Sequence, residues 1–272
     1  MILPDTILED IILIAKRAGA FIRKERENFD YGKVEIKGLN DLVSYVDKTA
    51  EEMIVSYLHT LLPEAGFIVE ENTRSEKKEY NWIVDPLDGT TNFVHGIPCY
   101  SVSIALEHRG EIRAGVVYEV SRDECFFAQK GKGAFLNHKA IYTSSRKTLS
   151  ESLIATGFPI YNFSRINPYM ACLHYFMEHT HGVRRIGSAA TDLCYLACGR
   201  VDAFFEYNLN AWDIAAGALI VKEAGGTVTD FSGKENWLFG REISCTNSLL
   251  DEEFNGVIKK NFNAPDVQES PE

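Results

Sequence analysis

The chain lacks any excess of positive charge: 28 Lys and Arg stand against 39 Asp and Glu, for a formal net charge of −11. General attraction to nucleic acid or to anionic membranes needs a basic face, so neither is expected as a main partner. Long apolar runs are missing too. The stretch 11–14 follows Asp5, Glu9 and Asp10 and stops at Lys16 and Arg17, which fits neither a signal peptide nor a membrane-spanning helix, so a cytoplasmic location is expected. None of the six cysteines belongs to a CxxC pair. In a chain of this size they read as reduced thiols rather than disulfides. Cys194 and Cys198 stand one helical turn apart, but no nearby His or Cys completes the four-ligand set of a zinc site. Also absent are repeats, low-complexity linkers, a GxxxxGK[ST] nucleotide loop, and any recognisable motif placing one of the seven histidines beside a Ser or Cys nucleophile.

What is present is an ordinary soluble composition, 45% apolar and 25% charged over 272 residues, enough for one large α/β unit or two lobes sharing a core. Thr6 with Glu9 three residues on is a capping-box pattern, and Leu8, Ile11, Ala15, Ala18 and Ile22 follow at helical spacing. A second helix is expected from about Asp47 to Leu62, ended by Pro63. "GFIVEEN" and "NWIVDP" read as buried strands that end in acids, and residues 99–129 as an antiparallel meander. After about Ser150 strands alternate with helices, which implies a more α/β second lobe. The expected division is 1–150, 151–262, and a frayed polar tail at 263–272. "GKGAF" (131–135) reads as a glycine-rich turn between strands rather than a phosphate loop.

The stretch "NWIVDPLDGTTNFVHG" (81–96) raises the functional question, because an apolar strand runs straight into Asp85 and Asp88. Glu70 and Glu71 follow "GFIV" in the same way, and Asp213 follows "NAW". Each acid alone could be a turn or helix cap. Were four to converge, each pair about 5 Å apart would repel by roughly 3 kcal/mol at an effective dielectric near 20. Some must then be protonated, or cations must sit among them. Oxygen ligands select hard ions such as magnesium, which suit phosphoryl chemistry. Gly89, Thr90 and Thr91 would form the first turn of a helix whose free N–H groups attract an anion, with Pro86 stiffening the approach.

"DPLDGTTNF" (85–93) and "AWDIAAGALIVKEAGG" (211–226) resemble the two signature motifs of the inositol monophosphatase family, with "VEEN" upstream and "IGSAATDLCYLACGRVDAFFE" between them. The similarity spans residues 5 to about 262. It implies a layered αβαβα sandwich of the sugar phosphatase type, two lobes packed as one unit with the active site between them, and a homodimer.

By the same resemblance, Glu70, Asp85 and the Leu87 carbonyl hold one Mg2+, and Asp85, Asp88 and Asp213 a second. A third, weaker ion leans on Glu70. Water attacks, oriented by Thr90 and Asp47; the amides of Gly89 and Thr90 take the phosphate. Asp88, the backbone at Ala189, and Glu206 meet the sugar ring, Lys37 on the loop before Asp41 lies near the site, and lithium inhibits. "GTTNF" sides with the inositol phosphate branch rather than the "DPLDGTKEF" of relatives acting on adenosine bisphosphates. Histidinol phosphate, fructose bisphosphate and nucleotide bisphosphates stay open as substrates. So does a role as a partner of the transcription machinery, as some bacterial members of the family have. Arg184 and Arg185 serve either a dimer interface or a distal phosphate, and the aromatic segment 157–169 has no counterpart in the motifs.

Overall fold

The structure is a computed structural model; it describes residues 6–29, 32, 34–38, 41–72, 74, 76–159 and 162–262, with backbone alone at 34–38 and 41–43. The expected frayed tail lies outside the described residues. The chain opens with helix α1 (Ile7–Glu27), a hairpin of β1 (Val34–Gly38) and β2 (Asp41–Ser44), and helix α2 (Tyr45–Leu61). There follow β3 (Gly66–Val69), β4 (Tyr80–Asp88), the short α3 (Thr90–His95), β5 (Ser101–His108), β6 (Glu111–Glu119), β7 (Glu124–Gln129), β8 (Ala134–Leu136) and β9 (Lys139–Ile141). The strands from β3 to β9 form one sheet in sequence order, antiparallel except for the β3/β4 pair. The expected meander is therefore its centre.

Beyond it lie β10 (Leu153–Thr156), α4 (Ile166–His179), β11 (Gly182–Arg184), α5 (Ala189–Ala197), β12 (Ala203–Tyr207), α6 (Ala211–Glu223), β13 (Thr227–Thr229), β14 (Glu242–Thr246) and α7 (Asp251–Phe262). Their strands make a second, mixed sheet in the order β11-β10-β12-β14-β13. Three apolar clusters bind five layers together. One joins α1 and α2 to the outer face of the seven-stranded sheet. The second lies around α5 and α6, between the two sheets, and the third seals α4 and α7 onto the far face of the five-stranded sheet. This is the expected αβαβα sandwich. All six cysteines are free, five of them buried. No helix among the described residues is long and apolar enough to cross a membrane.

Two local expectations are corrected. Thr6 does precede α1, but it takes helical angles (φ −81°, ψ −10°) and its side chain caps nothing; a capping hydroxyl reaches the first amides only from an extended residue. The capping boxes form instead at Ser44 with Asp47 and at Asn210 with Asp213, both with extended first residues. The second correction concerns Lys37, which belongs to strand β1 rather than to a loop; the placement of its side chain lies outside the described residues.

Close packing of α6 on the large sheet depends on Gly115 in β6. A Cβ there would stand 2.9 Å from the Ala216 Cα and 3.0 Å from the Ala216 carbonyl oxygen, both backbone atoms that cannot rotate away. Gly115→Ala is expected to destabilise the protein by about 1–3 kcal/mol through overpacking. Urea unfolding should show it as a lowered midpoint at unchanged slope.

Candidate functional site

Strand register explains the two aspartates. Along β4, Trp82 and Val84 face α1 and α2, whereas Ile83 faces the central layer. Strict alternation would put Asp85 on the central side and Asp88, three residues on, on the opposite side. The pairing with β5, however, runs from Asp85↔Ser103 to Asp88↔Ser101, three steps along β4 against two along β5. This β-bulge at Pro86 and Leu87 shifts the alternation by one. Leu87 enters the outer core, and Asp88 joins Asp85 at a central cavity. Proline fits there because a bulge residue needs no ladder N–H.

Glu70 arrives along the parallel neighbour: Val69 of β3 pairs with Val84, so the next residues on the two strands, Glu70 and Asp85, stand side by side. Asp213 comes from the first turn of α6, where its carboxylate accepts the Asn210 N–H at 2.6 Å.

Four acids thus line one cavity of about 130 Å³ together with Leu87. Burial pushes Asp85 well above the ordinary carboxyl range, and the charges of Glu70, Asp88 and Asp213 push it further. Asp88 is raised to about 6 by burial, against the pull of the Ser188 hydroxyl (2.6 Å) and the Ala190 N–H (2.8 Å). Asp213 is raised to about 7, first by burial and then by Asp88. The Asp85 carboxyl neighbours those of both Glu70 and Asp213. Carboxyl groups packed this closely require either protons or a cation to neutralise them. No group of three or more His, Cys, Asp or Glu among the described residues has the spacing of an ion cage. The fit to a cation rests on donor chemistry: four mutually repelling carboxyls, Asp85 buried and the other three half-buried, converge with a carbonyl oxygen on one cavity, an all-oxygen set suited to magnesium.

One end of the cavity begins where β4 stops. Gly89 has φ +91°, a left-handed conformation in which a Cβ would be strained, and it caps α3. Thr90 donates within 2.9 Å of both Asp47 Oδ1 and the Leu87 carbonyl. Asp47 itself does not line the cavity. It is buried beneath Thr90, accepts from the Ser44 N–H and hydroxyl, and has its pKa raised by burial. Asn92 fastens α3 to the facing loop through the carbonyls of Cys99 and Ile186.

Ala189 and Glu206 line the opposite wall, as does Gly157, and the backbone of Ala189 and Ala190 supports Asp88. The expected glycine-rich turn is also present, its Gly131 and Gly133 N–H groups held by the Glu223 carboxylate. Of the two neighbouring arginines only Arg185 reaches the cavity; Arg184 bonds the Val183 carbonyl.

Three residues of the site escaped sequence reasoning. Ser188 caps α5 and also donates to Asp88. Asn210 starts the helix that carries Asp213. Asp192 is 1% exposed and lines the cavity, and its Oδ1 has no hydrogen-bond partner among the described residues. The available signal was a single acid inside the apolar run "AATDLCYLA". The segment whose rim role was open contributes Gly157 and Phe158; its residues 160 and 161 lie outside the described residues.

Comparison with known proteins places this geometry. Residues 4–263 match the profile of the inositol monophosphatase family. A relative from Mesorhizobium japonicum named inositol-1-monophosphatase is 39% identical over 260 residues, 95% of this chain and 98% of that protein. One from Neisseria meningitidis serogroup B, named putative Nus factor SuhB, is 46% identical over 235 residues, 86% of this chain and 90% of that protein. The crystal structure of the extragenic suppressor protein suhB from Bartonella henselae superposes with a TM-score of 0.89 at 40% identity, covering 94% of this chain and 99% of that one.

Proposed function

Because the chain belongs to the inositol monophosphatase family, we propose that it is a magnesium-dependent phosphomonoesterase acting on a small phosphorylated polyol, with myo-inositol 1-phosphate the first candidate. The observation that carries this reading is the convergence of Glu70, Asp85, Asp88 and Asp213 on one cavity with the Leu87 carbonyl and the α3 N-terminus. Glu70, Asp85, Asp88, Asp213 and the Leu87 carbonyl would hold two to three Mg2+ ions, which supply charge neutralisation at the phosphoryl group and acidify water.

The chain's own groups do the rest. Gly89 and Thr90 present backbone N–H groups to the phosphate oxygens. The Thr90 hydroxyl donates to Asp47, which leaves its lone pairs free to accept a hydrogen bond from the attacking water and orient it. Glu206 accepts hydrogen bonds from the polyol. Lithium inhibition and a homodimeric state belong to the same proposal.

The test is phosphate release from inositol 1-phosphate, fructose 1,6-bisphosphate, adenosine 3′,5′-bisphosphate and histidinol phosphate, with and without Mg2+. The expected result is Mg2+-dependent release with inositol 1-phosphate preferred. No release from any of the four by folded protein removes the enzyme reading. A second reading, association with the transcription machinery, is favoured by the relative named putative Nus factor at 46% identity. If a cellular phenotype of deletion is rescued by a variant without turnover, that association is the main role.

A further inference from the structure

The α5 helix is buried along its whole length, and Asp192 is its sole ionisable side chain apart from Cys194 and Tyr195. Nothing in the fold requires an acid there. Ser188, not Asp192, caps the helix. No group among the described residues donates to Asp192 Oδ1, although that atom is shielded from solvent. An unpartnered buried polar atom costs about 1–3 kcal/mol, so an apolar residue of similar size would serve the helix better. The side chain nevertheless borders the cavity, on the wall that also carries Glu206 of β12. Gly157 faces the Glu206 carboxyl so closely that any Cβ would collide with it, so the glycine leaves room for that acid at the cavity. The opposite charge that acts on both acids is that of Arg185, which also lines the cavity. This wall therefore presents two acceptor-rich carboxyl groups and too few donors.

We propose that Asp192 is a second specificity-determining acid of the leaving-group subsite, accepting hydrogen bonds from hydroxyl groups of the polyol alongside Glu206. The inference rests on the phosphomonoesterase reading above and refines it: the preferred leaving group carries at least two hydroxyls on the face turned to α5 and β12. A phosphate ester without hydroxyls leaves Asp192 unpartnered and gains nothing from it.

The test compares wild type with Asp192→Asn, which keeps the shape but replaces one acceptor oxygen by a donor, and with Asp192→Leu. Two substrates are used: inositol 1-phosphate and 4-nitrophenyl phosphate, which has no hydroxyl. The expected result is a fall of about 10- to 100-fold in the ratio of kcat/KM values, inositol 1-phosphate over 4-nitrophenyl phosphate, carried mainly by KM, as for loss of a hydrogen bond to a charged group. Asp192→Leu should show the same fall with a melting temperature at or above that of wild type.

Calorimetric binding of inositol 1-phosphate, with Ca2+ in place of Mg2+, gives a second readout, expected to weaken by a similar factor in both variants. An unchanged ratio with unchanged binding overturns the proposal, as does an equal loss on both substrates with a lowered melting temperature, which marks a structural residue. Should wild type release no phosphate from inositol 1-phosphate, the phosphatase reading fails separately, and calorimetry alone decides the subsite: binding that the variants weaken supports it, and no binding overturns it.

Discussion

Asp85→Asn is expected to lower Mg2+-dependent phosphate release by at least about 100-fold, beyond the 10- to 100-fold typical of groups that merely support metal ligands. It is also expected to raise the melting temperature of the metal-free protein. Asp85 is the acid shared by both proposed ions, and it is nearly fully buried among Glu70, Asp88 and Asp213. Asparagine keeps the local shape, because its Oδ1 can still accept the Leu87 N–H bonded at 2.9 Å. What it removes is a negative charge that magnesium requires and that the empty site must otherwise neutralise with a proton. Relieving that repulsion is worth about 1–3 kcal/mol above neutral pH, or about 2–12 °C in a protein of this size. Phosphate release and thermal unfolding with and without Mg2+ check the two halves. A variant that lost activity together with stability would mean that Asp85 is structural, and a variant that kept activity would remove it from the metal site.

The opposite signs expected for activity and stability also show which parts of this site a sequence can reveal. "NWIVDP" reads as a buried strand because its apolar run admits little else, and the structure puts β4 there. That Asp85 and Asp88 face the same cavity is not legible, since period-two alternation predicts the reverse and only the one-residue bulge against β5 reverses it. Asp47 and Asp213 were read as site acids, but their spacing from Ser44 and Asn210 also encodes capping boxes. One carboxylate does both, fixing a helix end and facing its neighbours, and residue type alone does not separate the two uses. Thr6 shows the converse failure, where the pattern is present but the backbone is already helical. Asp192 was invisible for a different reason. Inside an apolar helix an acid carries no periodic signal, and its meaning depends on β12 and the Gly157 loop bordering the same cavity, a neighbourhood made by the fold of the second sheet.

The stability of the metal-free protein is expected to fall as pH rises from about 4 to about 7, while the stabilisation given by Mg2+ grows over the same interval. Asp85, Asp88 and Asp213 all have folded-state pKa values above the ordinary 3.8, with Asp88 at about 6 and Asp213 at about 7. An acid raised in this way binds its proton more tightly when folded. Its contribution is therefore complete below the unfolded value and is lost as pH passes through the folded one. For Asp213 alone the loss is on the order of 4 kcal/mol.

At the proposed site magnesium would compete for the same oxygens, so its binding should release protons and weaken in acid. At 100 times its dissociation constant it stabilises by about 2.7 kcal/mol, which corresponds to a rise in melting temperature of about 5–10 °C at pH 8. At pH 5 the rise should nearly vanish. Thermal scans at pH 5, 6, 7 and 8 with and without Mg2+, together with proton release measured by calorimetry in buffers of different ionisation enthalpy, check this. A shift equally large at pH 5, or binding without proton release, would mean that the ion sits elsewhere than among these carboxyls, because only groups protonated in its absence can give up protons to it.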